Sequence, residues 1–228
     1  MIQVAGIKLK EKTLLKRFGN DAVFIDVTSK ANATYLPLSP FYPHGNIPVP
    51  YSGDTKGASV EGIWQGLKVF NEYDVDMVTI QKGTMQNIKR TIRSFGYPKG
   101  HRKGINGAEL LDYIEARILI YLPVYKWVLD NKCQEVINEI KQLSKDHNVV
   151  LLDFATNDNL FISNKPLSHA ALIKLYIEGN YPNSKQLMNL YKNNPEIVAT
   201  EQKRIELEQE KEKLSSKGID PNQTILNF

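Results

Sequence analysis

Between residues 36 and 57 the chain carries Pro37, Pro40, Pro43, Pro48 and Pro50 together with Gly45, Gly53 and Gly57. Each proline fixes its own φ and removes a backbone donor, so no regular helix runs through this stretch. An irregular segment of this length inside a compact chain is usually functional or mobile. Its aromatic residues, Phe41, Tyr42 and Tyr51, predict that it packs on a neighbouring element. The fold must therefore be built on either side of a long loop, and the loop's partner is the first thing to find.

The segment that follows reads SVEGIWQGLK, residues 59–68. Ser59 suits a helix N-cap. On a wheel at about 100° per residue, Val60, Ile63, Trp64, Leu67 and Phe70 form an apolar stripe for the core. Glu61, Gln65 and Lys68 form a polar stripe beside Trp64. Gly62 and Gly66 share a third face. Two interior glycines cost roughly 1 kcal/mol each against alanine, a cost that often marks close approach of another backbone or a ligand. Glu61 lies in the first turn, where the helix dipole favours a carboxylate. The competing reading of the polar stripe is a surface Glu–Lys pairing on an amphipathic helix.

Elsewhere the pattern is simpler. AVFIDVT (22–28) predicts a strand, as does the apolar run VVLLDF (149–154). Met85, Ile88, Ile92 and Phe95 follow helical spacing and predict a helix over 84–95. The longest helical pattern, 108–131, is apolar on much of its circumference and belongs in the core, with a kink or break at Pro123. Shorter helices are expected over 133–147 and 166–178. Residues 200–214 predict a highly charged helix, exposed or loosely docked. The first 20 residues show no decisive pattern. The expectation is an α+β fold: a mainly α-helical single domain with a few short strands over residues 1–195, and a charged helical appendage over 196–228.

Charge is distributed unevenly. The net charge of +4 says little by itself. From Met77 to Ala108, however, there is no Asp or Glu, while Lys82, Lys89, Arg90, Arg93, Lys99, Arg102 and Lys103 fall in that window. Such a block suits an anionic partner such as a phosphate, or else is a solvated face balanced by acids from elsewhere. Lys89, Arg90 and Arg93 could clamp a diphosphate. A buried or cation-crowded lysine there could also attack a sugar carbon. Arg117, within the apolar run EARILIY, needs an anion, and a structural salt bridge competes with ligand binding for it.

Other chemistries find little support. His44, His101, His147 and His169 form no HExxH, Cys133 has no CxxC partner, and there is neither a GxGxxG nor a P-loop signature, so no metal or cofactor is expected. Ser168-His169 has no triad context and reads as a helix start. A single cysteine fits a reducing compartment. The N-terminus MIQVAGIKLKEK lacks a signal-peptide core and no run approaches about 20 apolar residues, so a cytoplasmic protein away from membranes is expected.

LSPFYPHGNI, SVEGIWQGLK, IKRTIRSFG, YKWVLDN and VVLLDFATNDNL occur in that order. In this they resemble the NADAR, or YbiA-like, family of N-glycosidases, where an LSNFYP loop precedes an SVEHAYQxxK helix, an AKxxGR-like element, a KFxxN segment and LLxTGD. The resemblance runs from about Leu38 to Leu160. It implies a YbiA-like domain that cleaves the bond between a base or amine and a ribose phosphate or ADP-ribose, of the ADP-ribosyl-guanine or riboflavin-intermediate type. On that resemblance Glu61 is the general acid or base and Lys89 the Schiff-base nucleophile or charge stabiliser. Ser39, Phe41, Tyr42, Trp64, Gln65, Lys68, Arg90, Arg93, Arg117, Lys126 and Trp127 are the candidate substrate contacts. The implied partner is a phosphorylated ribosyl or ADP-ribosyl small molecule, with modified nucleic acid as a further possibility. The chain departs from the pattern at Pro40, which replaces an asparagine, in the inserted PVPYSGDTKG, and in running into KPLSHAALI where the family has an acidic and WG element. Two other readings stand beside it: a non-catalytic nucleotide- or nucleic-acid-binding protein on the same fold, and an interaction protein with the charged tail as partner helix.

Overall fold

In the computed structural model, residues 1–216 are described. Strand β8 (Val149–Asp153) is buried at four of its five positions and is hydrogen-bonded on both sides, as its continuous apolar run requires. Its neighbours are β1 (Ile2–Gly6) and β2 (Val23–Asp26), both parallel to it, with Val4 and Ile25 each opposite Leu151. Parallel neighbours need a crossover, and α1 (Glu11–Phe18) supplies it between β1 and β2. The undecided N-terminus is thus an edge strand and a helix. Their signal was weak because only Leu14 of α1 is buried.

The proline-rich loop holds a 3-10 turn (Leu36–Leu38) and a short antiparallel pair, β3 (Ile47–Pro48) and β4 (Lys56–Gly57). It packs on the core, but through Leu38, Ile47 and Val49, while Tyr51, one of the aromatic residues expected to do so, is exposed. The hydroxyl of buried Tyr125 donates to the Leu38 carbonyl at 2.7 Å. Helix α2 (Val60–Gly66) follows, with Ser59 as N-cap, its Oγ accepting from the Gly62 N–H at 2.9 Å. The glycine face of α2 meets backbone, not ligand. It lies against α3 (Met77–Ile80), where the Thr79 carbonyl comes within 2.8 Å of the place a Gly62 Cβ would occupy. Lys68 falls just beyond the helix, in β5 (Lys68–Val69) of a second antiparallel sheet with β6 (Gly100–Arg102) and β7 (Leu110–Leu111).

Two helix expectations need correction. Over 84–95 only one turn forms, α4 (Ile92–Phe95). Asn87 takes a left-handed φ of 52°, and the Arg90 N–H bonds to the Gln65 side chain, so the helical ladder cannot propagate. The long helix begins at Tyr113, not Ala108, because Leu110–Leu111 pair with β6. It starts as α5 (Tyr113–Ala116) behind a capping box made by Asp112 and Glu115. It then widens into a π-helical turn (Arg117–Tyr121), whose end is marked by the Leu122 N–H bonding back to the Arg117 carbonyl, and continues as α6 (Leu122–Lys132). Pro123 has no N–H for the next rung, so the chain answers it with a π-turn.

Helix α7 (Gln134–Asp146) packs beside α6, and α8 (His169–Ile177) lies on β1 and β8. Helix α9 (Ser184–Lys192), not foreseen, leads into α10 (Pro195–Ser216). The tail is docked, not loose: Glu201 is 1% exposed, and Asn71 Nδ2 donates to Glu212 at 2.5 Å. The remainder of the expected appendage, 217–228, lies outside the described residues. Together these elements form an α+β fold. Among the described residues no helix is long and apolar enough to cross a membrane.

The α2–α3 contact gives a direct test. Gly62→Ala gains about 1 kcal/mol of helix propensity but forces a methyl into the Thr79 carbonyl, and should lose roughly 2 kcal/mol net. Gly83→Ala, with nothing within 4 Å, should change stability by less than about 0.5 kcal/mol. Urea unfolding measures both, and a Gly62→Ala protein as stable as the parent would refute the packing account.

Candidate functional site

The loop and α2 are joined at the first helical turn. The Glu61 N–H donates to the Pro40 carbonyl at 2.8 Å, so the residue that replaces the loop asparagine still serves through its backbone. The Gln65 amide then fixes two groups at once. Its Nε2 donates to Glu61 Oε1 at 2.8 Å, and its Oε1 accepts the Arg90 N–H at 3.1 Å. Gln65 is itself buried, and its bond to the Arg90 N–H is made away from water, while its bond to Glu61 is half-buried at the cavity edge.

Glu61, Trp64, Gln65 and Lys68 face a cavity of about 720 Å³. Ser39, Pro40 and Phe41 of the loop form one wall, and Lys89, Arg90, Thr91 and Ile92 another. Tyr113, Arg117 and Tyr121 close the side formed by the π-turn. The last wall lies at the carboxyl ends of β2 and β8, where Ser29, Asp153–Asn157, Lys165–Leu167 and His169 reach the cavity. A crevice at the carboxyl ends of parallel strands is where open sheets bind ligands. Five lysine or arginine side chains, His169 and two carboxylates line it, which favours an anion.

The cations differ in what they can do. Burial lowers the pKa of Lys68, and the nearby charges of Arg90 and Lys89 push the same way, against Glu61. A partly desolvated amine of this kind is a better nucleophile than an ordinary lysine. Lys89 is exposed, with Nζ 5.5 Å from the centre of the Phe41 ring. Arg90 is a fastener. Its guanidinium donates to the carbonyls of Gln65, Lys68 and Asp74 and lies over the rings of Phe70 and Phe95 at 4.7 and 4.9 Å. Among the described residues Arg117 likewise meets no carboxylate, where a structural salt bridge was one expectation. It donates to the carbonyls of Leu160, Ile162 and Lys165, and so holds the loop that carries Lys165 to the cavity. The acid-free block is partly neutralised by its flanks, through Arg102–Asp74 at 2.6 Å and Lys103–Glu109 at 2.8 Å.

Four candidates lie outside the cavity. Tyr42 packs edge-on against His44 at 4.7 Å, and Arg93 is exposed on α4. Lys126 pairs with Asp130 at 2.8 Å, and Trp127 lies beneath Lys132 at 5.9 Å. Sequence reasoning passed over Tyr113, Tyr121 and Asp153, and read Ser168-His169 only as a helix start, which it is: Ser168 caps α8, its Oγ accepting from the Ala171 N–H at 3.2 Å. Asp153 had a signal, being the polar residue that ends a buried strand. Among the described residues no group of three or more His, Cys, Asp or Glu is placed to hold a metal ion.

Asp153 and His169 form a buried pair, Nδ1 to Oδ2 at 3.1 Å. His169 Nε2–H donates to the Val27 carbonyl at 2.7 Å. Burial opposes the imidazolium, but the Asp153 hydrogen bond and charge and the Val27 carbonyl outweigh it and raise the His169 pKa. Burial also opposes the Asp153 carboxylate, and the His169 and Ser168 hydrogen bonds override it, lowering that pKa. A raised histidine stabilises fully below its ordinary 6.5 and loses its contribution as pH rises through the folded value. A lowered aspartate stabilises above its ordinary 3.8 and loses its contribution as pH falls through the folded value. Asp153→Asn should therefore cost roughly 3 kcal/mol near pH 5 to 6 and progressively less above the folded pKa of His169. Urea unfolding of both proteins across pH measures this difference, and a cost independent of pH would contradict the charged pair.

Residues 7–173 match the model of a family described as Family of unknown function (DUF6939). No curated protein and no solved structure matches the chain. The matched segment takes in the proline-rich loop, α2, the π-turn, β8 and the start of α8, which together form the cavity, and the chain belongs to the DUF6939 family.

Proposed function

We propose that this protein is an N-glycoside hydrolase that separates a base or amine from a ribose phosphate or ADP-ribose. The observation that carries the reading is the convergence of Glu61 and the desolvated Lys68 on one cavity whose ionisable lining is mostly cationic. Trp64, Tyr113, Tyr121 and Phe41 supply the apolar surface that a base and a ribose need, and the exposed Lys89 at the wall suits a phosphate. The NADAR resemblance of SVEGIWQGLK and the preceding loop supports the same chemistry.

The resemblance gives the nucleophile's place to Lys89. The electrostatics favour Lys68 for it and leave Lys89 to the phosphate. In this scheme the neutral Lys68 amine attacks C1′ of the ribose. The C1′–N bond breaks as Glu61 gives a proton to the departing nitrogen. The resulting lysine–sugar adduct is then hydrolysed by water, with the Glu61 carboxylate taking the water proton and Lys68 returning as the free amine. Gln65 holds the Glu61 carboxylate in place throughout. The segment KPLSHAALI, present where the resembled family has its WG element, supplies Lys165 and His169 to the wall and takes over closure of that side.

Glu61→Gln should lower kcat on ADP-ribosylated guanosine or a ribosyl-phosphate N-glycoside by about 10²- to 10⁴-fold, with the melting temperature nearly unchanged. Release of ribose product measured by mass spectrometry provides the check. Full activity in the variant would remove Glu61 from the mechanism, and no release from any such N-glycoside by the parent protein would end the reading.

A further inference from the structure

Tyr113 is a wall of the cavity, held from within the family-matched residues by Arg117, whose guanidinium lies 4.6 Å from the ring centre and donates to the hydroxyl at 3.5 Å, and from outside them by α9 and α10. It is the first residue of α5, a single turn followed directly by a π-turn. That turn is therefore the N-terminal turn of the helix that runs on through the π-turn into α6, and its first N–H groups depend on the cap. Its N-cap, Asp112, accepts a hydrogen bond from the hydroxyl of buried Tyr191 of α9 at 2.8 Å. The Arg204 guanidinium of α10 lies over the Tyr113 ring at 5.4 Å. Glu201 holds Arg204 through Nε at 2.9 Å and through Nη2 at 2.6 Å, and that carboxylate is 1% exposed.

Arg204 thus has two tasks that cannot be separated. It neutralises a buried carboxylate, without which α10 would dock with an uncompensated charge. It also places a cation on the ring of a cavity residue. On its other contacts Tyr113 meets Trp64 edge-on at 5.5 Å, so a displaced Tyr113 frees the indole of the residue one helical turn from Glu61. We propose that Arg204 is a positioning residue, and that docking of α10 sets the shape of the ligand cavity through the Arg204–Tyr113–Trp64 contacts. The inference rests on the reading of this cavity as the reactive site, but the geometry it predicts can be measured without any substrate.

The test compares the full chain with Arg204→Met and Arg204→Lys in a Trp127→Phe background, where Trp64 is the sole tryptophan. Arg204→Met should raise hydrogen exchange at the Glu115 and Ala116 amides by about tenfold or more. It should also shift Trp64 emission. Arg204→Lys, which keeps a cation over the ring, should restore much of both. On an N-glycoside that the parent protein hydrolyses, Arg204→Met should raise KM by roughly threefold or more with kcat little changed. Unchanged amide exchange together with unchanged Trp64 emission in Arg204→Met overturns the proposal. Should Arg204→Met fail to fold, Arg204→Gln, which can still donate to Glu201 but puts no cation over the Tyr113 ring, is read by the same two signals, with the same result overturning the proposal. Absence of hydrolysis by the parent protein counts against the enzymatic reading alone, since exchange and emission still decide the role of Arg204.

Discussion

The Gln65 amide stands between the Glu61 carboxylate and the backbone of Arg90, donating to the first and accepting from the second. With an oxygen and a nitrogen both engaged, the amide cannot turn over without breaking both bonds. Two stretches that are distant in sequence are thereby registered: the helix that carries the acid and the extended segment that carries Lys89. The Arg90 side chain completes the fastening by returning to the carbonyls of Gln65, Lys68 and Asp74. Loss of the Gln65 amide would release the acid, the segment and the cation together, which is why so much of the cavity depends on one neutral side chain.

The remaining walls are held by the same device, a cation spent on backbone carbonyls. Arg117 does for the loop after β8 what Arg90 does for the loop before α4. An arginine used this way leaves irregular backbone satisfied without a helix or sheet, and cavity walls are built from such backbone. The π-turn serves the same end. It lets the helix pass Pro123 while directing Tyr113, Arg117 and Tyr121 to one side. Behind Trp64 lies His101, with ring centres 3.9 Å apart and, among the described residues, no hydrogen-bond partner on either ring nitrogen. Burial, followed by the charge of Lys68, keeps its pKa well below the ordinary value, so it supports the indole as a neutral ring.

Periodicity reveals local order and one-sided burial, and those parts of the fold were legible. The N-cap at Ser59, the polar stripe at Glu61 and Gln65, the strands β2 and β8 and the helix α7 all follow from residue type and spacing. The two glycines of α2 were read as a close approach, and the structure gives α3 as the neighbour. What failed was long-range. The apparent helix over 84–95 lost to a hydrogen bond from a residue 25 positions away. Arg90 and Arg117 looked like anion binders because a sequence does not reveal which carbonyls will surround a guanidinium. Asp153, His169 and Tyr113 meet Glu61 only through the parallel sheet and the π-turn, and no local pattern joins them. The charged tail read as loose because the one buried carboxylate that docks it, Glu201, sits among many exposed ones.

The central claim is that the cavity holds a sugar against a reactive amine at Lys68. Reductive trapping tests it most directly: the intact protein is incubated with ADP-ribose, whose terminal ribose carries a free aldehyde, in the presence of borohydride, and the adducts are mapped by peptide mass spectrometry. The account predicts a dominant ADP-ribose adduct on Lys68 that excess ribose 5-phosphate replaces with the smaller adduct of its own aldehyde. Adducts confined to Lys89, or spread over the exposed lysines with Lys68 unmodified, would contradict it.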